Sequence, residues 1–173
     1  DFFLMERKEG IVLDTHFPKG TVPSEELACQ LSEMMVDSLV ALHAIPYQDT
    51  SLKDMVKPDG FMERQVHGWI ERYERAKTAE IAGVATLTEW LKTHVPNNKE
   101  ATIIHYDYKL NNAMFSVDYA DMIGLFDWEM TTVGDPLADV GVAMSYWMQA
   151  DDPKMLLYAL GEPPVTIYTT AIY

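Results

Sequence analysis

Two short apolar runs on either side of a polar turn most constrain how this chain can fold. The runs cover residues 113–117 and 122–126, and the turn between them reads Asp-Tyr-Ala-Asp. This pattern is typical of a β-hairpin. Asn112 precedes the first run and Asp127 follows the second, so the two residues stand equally far from the turn. A hairpin therefore brings Asn112 and Asp127 side by side.

Asn112 and Asp127 together offer two oxygen ligands to a hard metal ion. Paired strands lie about 4.8 Å apart, and Mg²⁺ holds its oxygen ligands at about 2.1 Å. One amide oxygen and one carboxylate at this place can therefore share a cation. Each residue also has a simpler interpretation, because Asn can cap the start of a hairpin and Asp can form a turn after it. We interpret both as metal ligands.

Asp107 lies five residues before Asn112, within the run His-Tyr-Asp-Tyr-Lys-Leu-Asn-Asn that begins at His105. A loop of this length can hold a carboxylate near the metal ion and leave it free to accept a proton from a substrate hydroxyl. The alternative is an aspartate that only caps the loop. Because the matching Asp127 follows downstream, we interpret Asp107 as the proton acceptor.

This order of residues is the catalytic-loop and metal-loop pattern of kinases. The sequence Asp-Trp-Glu from Asp127 and the sequence Gly-Asp-Pro-Leu-Ala-Asp from Gly134 resemble the aminoglycoside phosphotransferase-like (choline kinase-like) family of small-molecule kinases. They are most similar to the branch related to the kinase domain found alongside acyl-CoA dehydrogenases. The resemblance extends from residues 3–10, which look like the interlobe hinge of that family, to about Trp147.

The resemblance implies an α+β fold that is mainly helical, a protein kinase-like C-terminal lobe with a small β-hairpin at the active site. Residues 1–12 would be the hinge-like segment and residues 13–173 the lobe. The sequence contains no G-x-G motif and no strand with a phosphate-pairing lysine. We therefore expect the N-terminal lobe to be absent from this chain, and this stretch alone to be inactive.

The resemblance also implies a function, an ATP- and Mg²⁺-dependent transfer of phosphate to a hydroxyl of a small molecule. Asp107 would be the catalytic base, and Asn112 and Asp127 would hold Mg²⁺. Backbone groups of the hinge would pair with the adenine edge, and two apolar side chains would form the floor under the base, unless they are simply hairpin core. The nucleotide-binding residues implied in this way are Met5, Glu6, Arg7, Met114 and Phe126.

The sequence also bears on the roles of five other residues near this site. The resemblance gives His105 a structural role, with its ring hydrogen-bonded to the backbone. Tyr106 occupies a position where the family usually has Gly, so its side chain would crowd the loop or shape the substrate pocket. Lys109 is either close to the transferred phosphate or an exposed loop lysine. Glu129 is either a metal or substrate contact or a surface carboxylate, and for Asp139 we favour an interior bond to the catalytic loop.

Composition excludes some partners. The chain carries 13 Lys and Arg against 27 Asp and Glu, a formal net charge of −14, which argues against nucleic acid. Neither a signal peptide nor an apolar run of about 20 residues is visible, so we expect a cytoplasmic protein without membrane contact. The partner expected is a small-molecule acceptor, and the oligomeric state is not predicted.

Apolar residues at helical spacing predict four helices. The first is capped by Ser24 and stops at Pro46, the second and third cover about 61–77 and 81–94, and the fourth begins at Pro136 after an Asp135 cap. A strand is predicted at 101–104. We assign the apolar stripes of these helices to the core, including Trp69, Leu87, Trp90, Leu137, Val140, Met144 and Trp147.

Two other functions fit the same residues. A non-catalytic, kinase-derived binding module would carry the motif without using it, and the absence of N-terminal lobe motifs favours that alternative. A metal-dependent phosphoesterase built on Asp107 and Asp127 is a weaker candidate, because such sites usually gather more carboxylate or histidine ligands.

Overall fold

The structure is a computed structural model that describes residues 4, 6–14, 17–21, 24–96, 100–147 and 153–154. Helices and strands alternate with short 3₁₀ turns. The helices are α1 (Glu25–His43), α2 (Phe61–Ala76), α3 (Val84–Thr93) and α4 (Pro136–Ser145). The strands are β1 (Ile11–Val12), β2 (Thr102–Ile104), β3 (Ala113–Phe115), β4 (Met122–Leu125) and β5 (Thr132–Gly134). The predicted class, α+β and mainly helical with a small hairpin, is confirmed.

The predicted hairpin is present as β3 and β4, which pair antiparallel. Ala113 opposes Leu125 and Met114 opposes Gly124, and a bulge follows Met114. The turn is closed by its own polar groups, because the Ser116 amide donates to the Asp121 carbonyl over 2.8 Å. Strand β1 pairs antiparallel with β3, which gives the sheet order β1-β3-β4. A separate two-stranded sheet joins β2 and β5.

Helix α1 forms where the sequence predicts it and packs against the hairpin. Its cap is Ser24, whose side chain accepts a hydrogen bond from the Leu27 amide at 3.1 Å. Leu31 and Met35 face a core that also contains Phe115 from β3. None of the described helices is both long enough and apolar enough to cross a membrane.

The prediction that every apolar stripe is core was wrong for several side chains. Trp69 on α2 is 57% exposed, and Leu87 and Trp90 on α3 are also exposed. On α4, Leu137 is 52% exposed, and Val140 and Met144 are exposed as well. Helix α4 is apolar on nearly all sides, and it buries the small Ala138 and Ala143 instead. Helical periodicity therefore locates such a helix but does not say which side packs.

Candidate active site

The hairpin places Asp127 next to Asn112, as the spacing predicts. The Phe126 amide donates to the Asn112 carbonyl over 2.8 Å. Asp127, the next residue, therefore follows directly after this contact. Asp127 is exposed and has a left-handed backbone, with φ 63. Asn112 is buried at the end of a 3₁₀ turn, Leu110–Asn112, that leads into β3.

Asp107 lies against the Asn112 side chain. The amide nitrogen Nδ2 of Asn112 donates to the Asp107 carbonyl at 2.9 Å and to its carboxylate oxygen Oδ2 at 3.0 Å. Because Nδ2 makes both bonds, the amide oxygen Oδ1 is the atom that Asn112 can offer to a cation. The catalytic base and one metal ligand predicted from the sequence are therefore in direct contact.

Two more residues bind the Asp107 carboxylate. Lys109 Nζ lies 2.8 Å from Oδ2, and the Tyr146 hydroxyl donates to Oδ1 over 3.0 Å. The Lys109 ammonium also lies 5.0 Å from the centre of the Tyr146 ring, an arrangement that favours a cation. Asp107 is thus surrounded by donors on both oxygens.

These contacts set the pKa of the Asp107 carboxyl. Partial burial pushes the pKa upward, but hydrogen bonds from Lys109, Tyr146 and Asn112 together outweigh burial and hold the pKa below its ordinary value. Burial would lower the pKa of the Lys109 ammonium, yet its bond to Asp107 raises that pKa overall, with a smaller contribution from Asp127. At neutral pH the site therefore contains an ionised carboxylate beside an ionised ammonium.

Asp139 binds the backbone of the catalytic loop, which is the loop that begins at His105 and carries Asp107. Its fully buried carboxylate accepts hydrogen bonds from the His105 amide at 2.8 Å and the Tyr106 amide at 2.6 Å. His43 Nε2 on α1 donates to the same carboxylate over 3.0 Å. The interior bond that the sequence favoured for Asp139 is present, and it ties α4 and α1 to the loop.

The His105 ring makes a backbone hydrogen bond, as the resemblance implied. Nδ1 accepts from the Asp107 amide at 3.3 Å, so Nε2 carries the proton and donates to the Phe126 carbonyl at 2.8 Å. The Trp128 ring packs on the imidazole, with ring centres 4.8 Å apart. Both ring nitrogens are therefore engaged, Nδ1 within the loop that carries Asp107 and Nε2 in linking that loop to the residue before Asp127.

Met114 and Phe126, the predicted apolar floor, lie on the same side of β4, because a methyl added at Gly124 would meet both side chains. Val12 of β1 opposes Met114, and a methyl added at Gly10 would lie 2.6 Å from Met114 Cγ. The Phe126 ring packs over Gly124, within the same sheet. Gly10, at the end of the segment after Met5, therefore lies directly against Met114 of the predicted floor, and Met5 itself is outside the described residues.

Glu6 and Arg7 lie at the start of this segment, and both are exposed. Their ion pairs are local, Glu6 with Lys8 at 3.4 Å and Arg7 with Glu9 at 4.0 Å. The adenine role predicted for these two residues depends on backbone groups, and these side-chain pairs do not test it.

The donor atoms suit a magnesium ion whose remaining ligands come from a phosphate substrate. In the described part of the chain no three His, Cys, Asp or Glu side chains gather into a metal cluster. Mg²⁺ is usually bound by one or two carboxylates plus substrate phosphates. Asn112 Oδ1 and the Asp127 carboxylate are such a set, whereas a protein-only metal cage would need more ligands.

Sequence reasoning missed Tyr146. No local motif identifies it, because it reaches Asp107 from a position 39 residues further along the chain. It caps the C-terminal end of α4, and only the packing of that helix brings its hydroxyl to the catalytic loop.

The chain matches the sequence model of the phosphotransferase enzyme family over residues 1–162. Mouse acyl-CoA dehydrogenase family member 10 is 33% identical to it over 153 residues, which are 88% of this chain and 14% of that protein. Human acyl-CoA dehydrogenase family member 11 is 31% identical over 141 residues, 81% of this chain and 18% of that protein. The chain thus spans less than a fifth of the length of either relative.

Solved structures share the fold. A Ralstonia eutropha JMP134 protein assigned as an aminoglycoside phosphotransferase has a TM-score of 0.73 at 31% identity, over 91% of this chain and 50% of that chain. Macrolide 2′-phosphotransferase type I has a TM-score of 0.59 at 17% identity, over 79% of this chain and 46% of that chain. The second likeness is one of fold alone.

Proposed function

The chain belongs to the phosphotransferase enzyme family, and from that premise we propose an ATP- and Mg²⁺-dependent kinase that phosphorylates a hydroxyl of a small molecule. The family resemblance predicted from the motifs is confirmed, and so is the aminoglycoside phosphotransferase-like fold. The observation that carries the proposal is the contact of Asp107 with Asn112. The hydrogen bond between Phe126 and Asn112 places Asp127 after the same hairpin.

Asp107 is the proton acceptor in this proposal. Its lowered pKa keeps the carboxylate ionised at neutral pH, where it orients the acceptor hydroxyl. As the hydroxyl oxygen bonds to the γ-phosphorus of ATP, the bond to the β,γ-bridging oxygen breaks, ADP leaves and the hydroxyl proton passes to Asp107. Most of the rate enhancement in such a transfer comes from positioning and charge neutralisation.

The remaining residues bind and orient. Asn112 Oδ1 and the Asp127 carboxylate would hold Mg²⁺, which when bound neutralises charge on the phosphates. Lys109, fixed 2.8 Å from Asp107, would contribute a further positive charge near the transferred group. Met114 and Phe126 would contact the adenine ring from the hairpin, and the backbone of Met5, Glu6 and Arg7 would pair with its edge.

Calorimetric titration of the full-length natural protein with ATP, with and without Mg²⁺, tests this proposal. We expect Mg²⁺-dependent heat of binding, followed by ADP production when a panel of hydroxylated metabolites is added. A vestigial kinase fold that serves only as a binding module would give no heat with ATP. Phosphate release from model esters without ATP would instead indicate a phosphoesterase. The cytoplasmic location stays a prediction.

A further inference from the structure

A cavity of about 730 Å³ lies beside the catalytic loop, between α2 and the segment that follows Asp127. Trp69 and Arg72 line it from α2, and Tyr106 and Glu129 line it from the opposite side. The kinase proposal assigns no role to these four residues. Tyr106 is the residue before Asp107, so the lining of this cavity comes within one residue of the proposed base along the chain.

Tyr106 forms part of the wall of the cavity, one residue before the base in the chain. Its backbone has a positive φ of 65°, a conformation that is strained for a bulky residue. The side chain is held by a hydrogen bond from its hydroxyl to Gln65 Oε1 at 3.2 Å. Its ring also packs edge-on against Phe61, with centres 5.8 Å apart. Strain at such a place suggests a functional reason for a large aromatic residue.

The charge of the cavity is opposite to that of the chain. Its lining contains the cations Lys57, Arg64 and Arg72 and one carboxylate, Glu129, although Asp and Glu outnumber Lys and Arg by 27 to 13 in the whole chain. By contrast, Lys77, which follows the last residue of α2 and lies outside this lining, pairs at 2.8 Å with both Glu74 and Glu80.

The two arginines of the cavity have neutral partners. Arg64 donates to the backbone carbonyls of Asp59 and Lys57, and the Arg72 guanidinium lies over the Trp69 ring, 4.7 Å from its centre. Within the described residues no carboxylate lies within 4.0 Å of either arginine. A guanidinium stacked on an aromatic ring keeps its N–H edge available to an anion.

We propose that this cavity binds an anionic group of the acceptor, so that the substrate is a hydroxyl compound carrying a carboxylate or a phosphate. Arg72 would bind the anion, Trp69 would contact the apolar part of the acceptor, and Tyr106 would limit its width beside Asp107. The proposal rests on the kinase function above. The anionic acceptor is opposite in preference to the whole chain, whose formal net charge of −14 would attract cations.

A second cavity offers a contrast. It has a volume of about 610 Å³ and lies at the N-terminal end of α2, where acidic side chains outnumber basic ones in its lining. The acidic residues are Asp59, Glu63, Glu100 and Asp135, against Lys92 and His67. Of these two cavities, the one lined by Tyr106 has the excess of cations.

Binding of four matched probes to the full-length natural protein tests the charge preference. The probes are hydroxyhexanoate, hydroxyhexyl phosphate, methyl hydroxyhexanoate and aminohexanol, each with a terminal hydroxyl. We expect at least one of the two anions to bind about tenfold or more tightly than the neutral ester, because a charged hydrogen bond strengthens binding by at least this factor. The tighter anion identifies the group. Equal affinities, or a preference for the amine, would overturn the proposal.

Two arginine variants on the same helix distinguish an effect of the cavity from an effect of the overall charge of α2. Arg72→Gln is expected to abolish the preference for the anion. Arg75→Gln removes the same charge from α2 but lies outside the cavity lining, where its side chain donates to the Glu71 carbonyl at 3.3 Å, so it is expected to keep the preference. Equal effects of the two substitutions would overturn the assignment of Arg72.

Tyr106 can be tested without losing the fold, because glycine accepts a positive φ readily. Tyr106→Gly is expected to admit a branched hydroxy acid that the unmodified protein rejects, and Tyr106→Phe to keep the original selectivity. An unchanged acceptor range in Tyr106→Gly would contradict its role as a wall.

ADP production measured with the same probes distinguishes the two proposals. Anion binding that depends on Arg72 but never leads to Mg²⁺- and ATP-dependent transfer would disprove the kinase function and leave the anion site standing. Transfer to neutral acceptors that Arg72→Gln does not change would disprove the anion site and leave the kinase function standing.

Discussion

The hydroxyl of Tyr146 donates a hydrogen bond to Oδ1 of Asp107 over 3.0 Å, which joins the end of α4 to the catalytic loop. Lys109 and Asn112 bind the other carboxylate oxygen, at 2.8 Å and 3.0 Å. The proposed base is therefore oriented by three residues from two parts of the chain, its own loop and the end of α4. An acceptor hydroxyl would approach the carboxylate on the Oδ1 side, where it shares the oxygen with Tyr146.

Replacing Tyr146 with Phe removes one of the hydrogen bonds that lower the pKa of Asp107. The pKa should rise, so the acidic limb of the pH profile of kcat/KM should move to higher pH. Tyr73→Phe is a matched control, because the Tyr73 hydroxyl is buried on α2 without a hydrogen-bond partner among the described residues. Identical acidic limbs in the two variants would contradict the proposed effect of Tyr146.

The same shift has a consequence for stability. A carboxyl whose pKa is lower in the folded state contributes stability above its unfolded pKa, and that stability is lost as the pH falls through the folded value. The contribution of Asp107 is therefore present at neutral pH and disappears in acid below the ordinary Asp range. Tyr146→Phe weakens this contribution. The difference in unfolding free energy between Tyr146→Phe and the unmodified protein should therefore be smaller at low pH than at neutral pH.

Asp139→Asn should destabilise the fold strongly. The buried carboxylate accepts from the His105 and Tyr106 amides and from His43, and an amide cannot accept all three bonds on the same atoms. We expect a loss of about 2–4 kcal/mol in the free energy of unfolding, measured by urea denaturation. His43→Ala leaves both backbone bonds in place and should cost less. A larger loss in His43→Ala would mean that the backbone bonds to Asp139 are unimportant.

Gly10→Ala should separate β1 from the hairpin. The added methyl would lie 2.6 Å from both Met114 Cγ and the Phe115 carbonyl oxygen, and the carbonyl belongs to a paired strand that cannot move freely. We expect a loss of about 1–3 kcal/mol and weaker ATP binding. Gly141→Ala in α4 meets no atom within 4 Å and should stabilise by about 0.5–1 kcal/mol. Equal effects of the two substitutions would contradict this packing.

The local parts of the site could be predicted from the sequence. Turn and strand spacing predicted that Asn112 and Asp127 would meet, and the Asp135 cap is present, with its side chain accepting from the Leu137 amide at 2.9 Å. These features depend on residues close together in the chain, where backbone geometry alone decides the result.

Contacts between distant elements could not be predicted in this way. Tyr146 meets Asp107 only because α4 packs beside the loop, and no periodicity encodes that contact. The exposure of Trp69 has the same origin, because helical spacing identifies an apolar side chain but not the cavity that it lines. Whether the N-terminal lobe is absent, as the sequence predicted, stays untested.

Asp127→Ala should remove one of the two proposed protein ligands of Mg²⁺. We expect ATP affinity measured with Mg²⁺ to fall by about tenfold or more, since the outer contacts of metal ligands alone change affinity by roughly 10–100-fold. Affinity measured without Mg²⁺ should change little. An Asp127→Ala protein with unchanged Mg²⁺-dependent affinity would exclude this residue from the metal site.

The rate of phosphoryl transfer by Asp107→Ala, at saturating ATP and Mg²⁺, tests the kinase proposal most directly. We expect the rate in the full-length protein to fall by about 10²–10⁴-fold, the range for loss of a general base, while ATP affinity stays within about twofold of the original. A transfer rate equal to that of the unmodified protein would contradict the role of Asp107 and the account built on it.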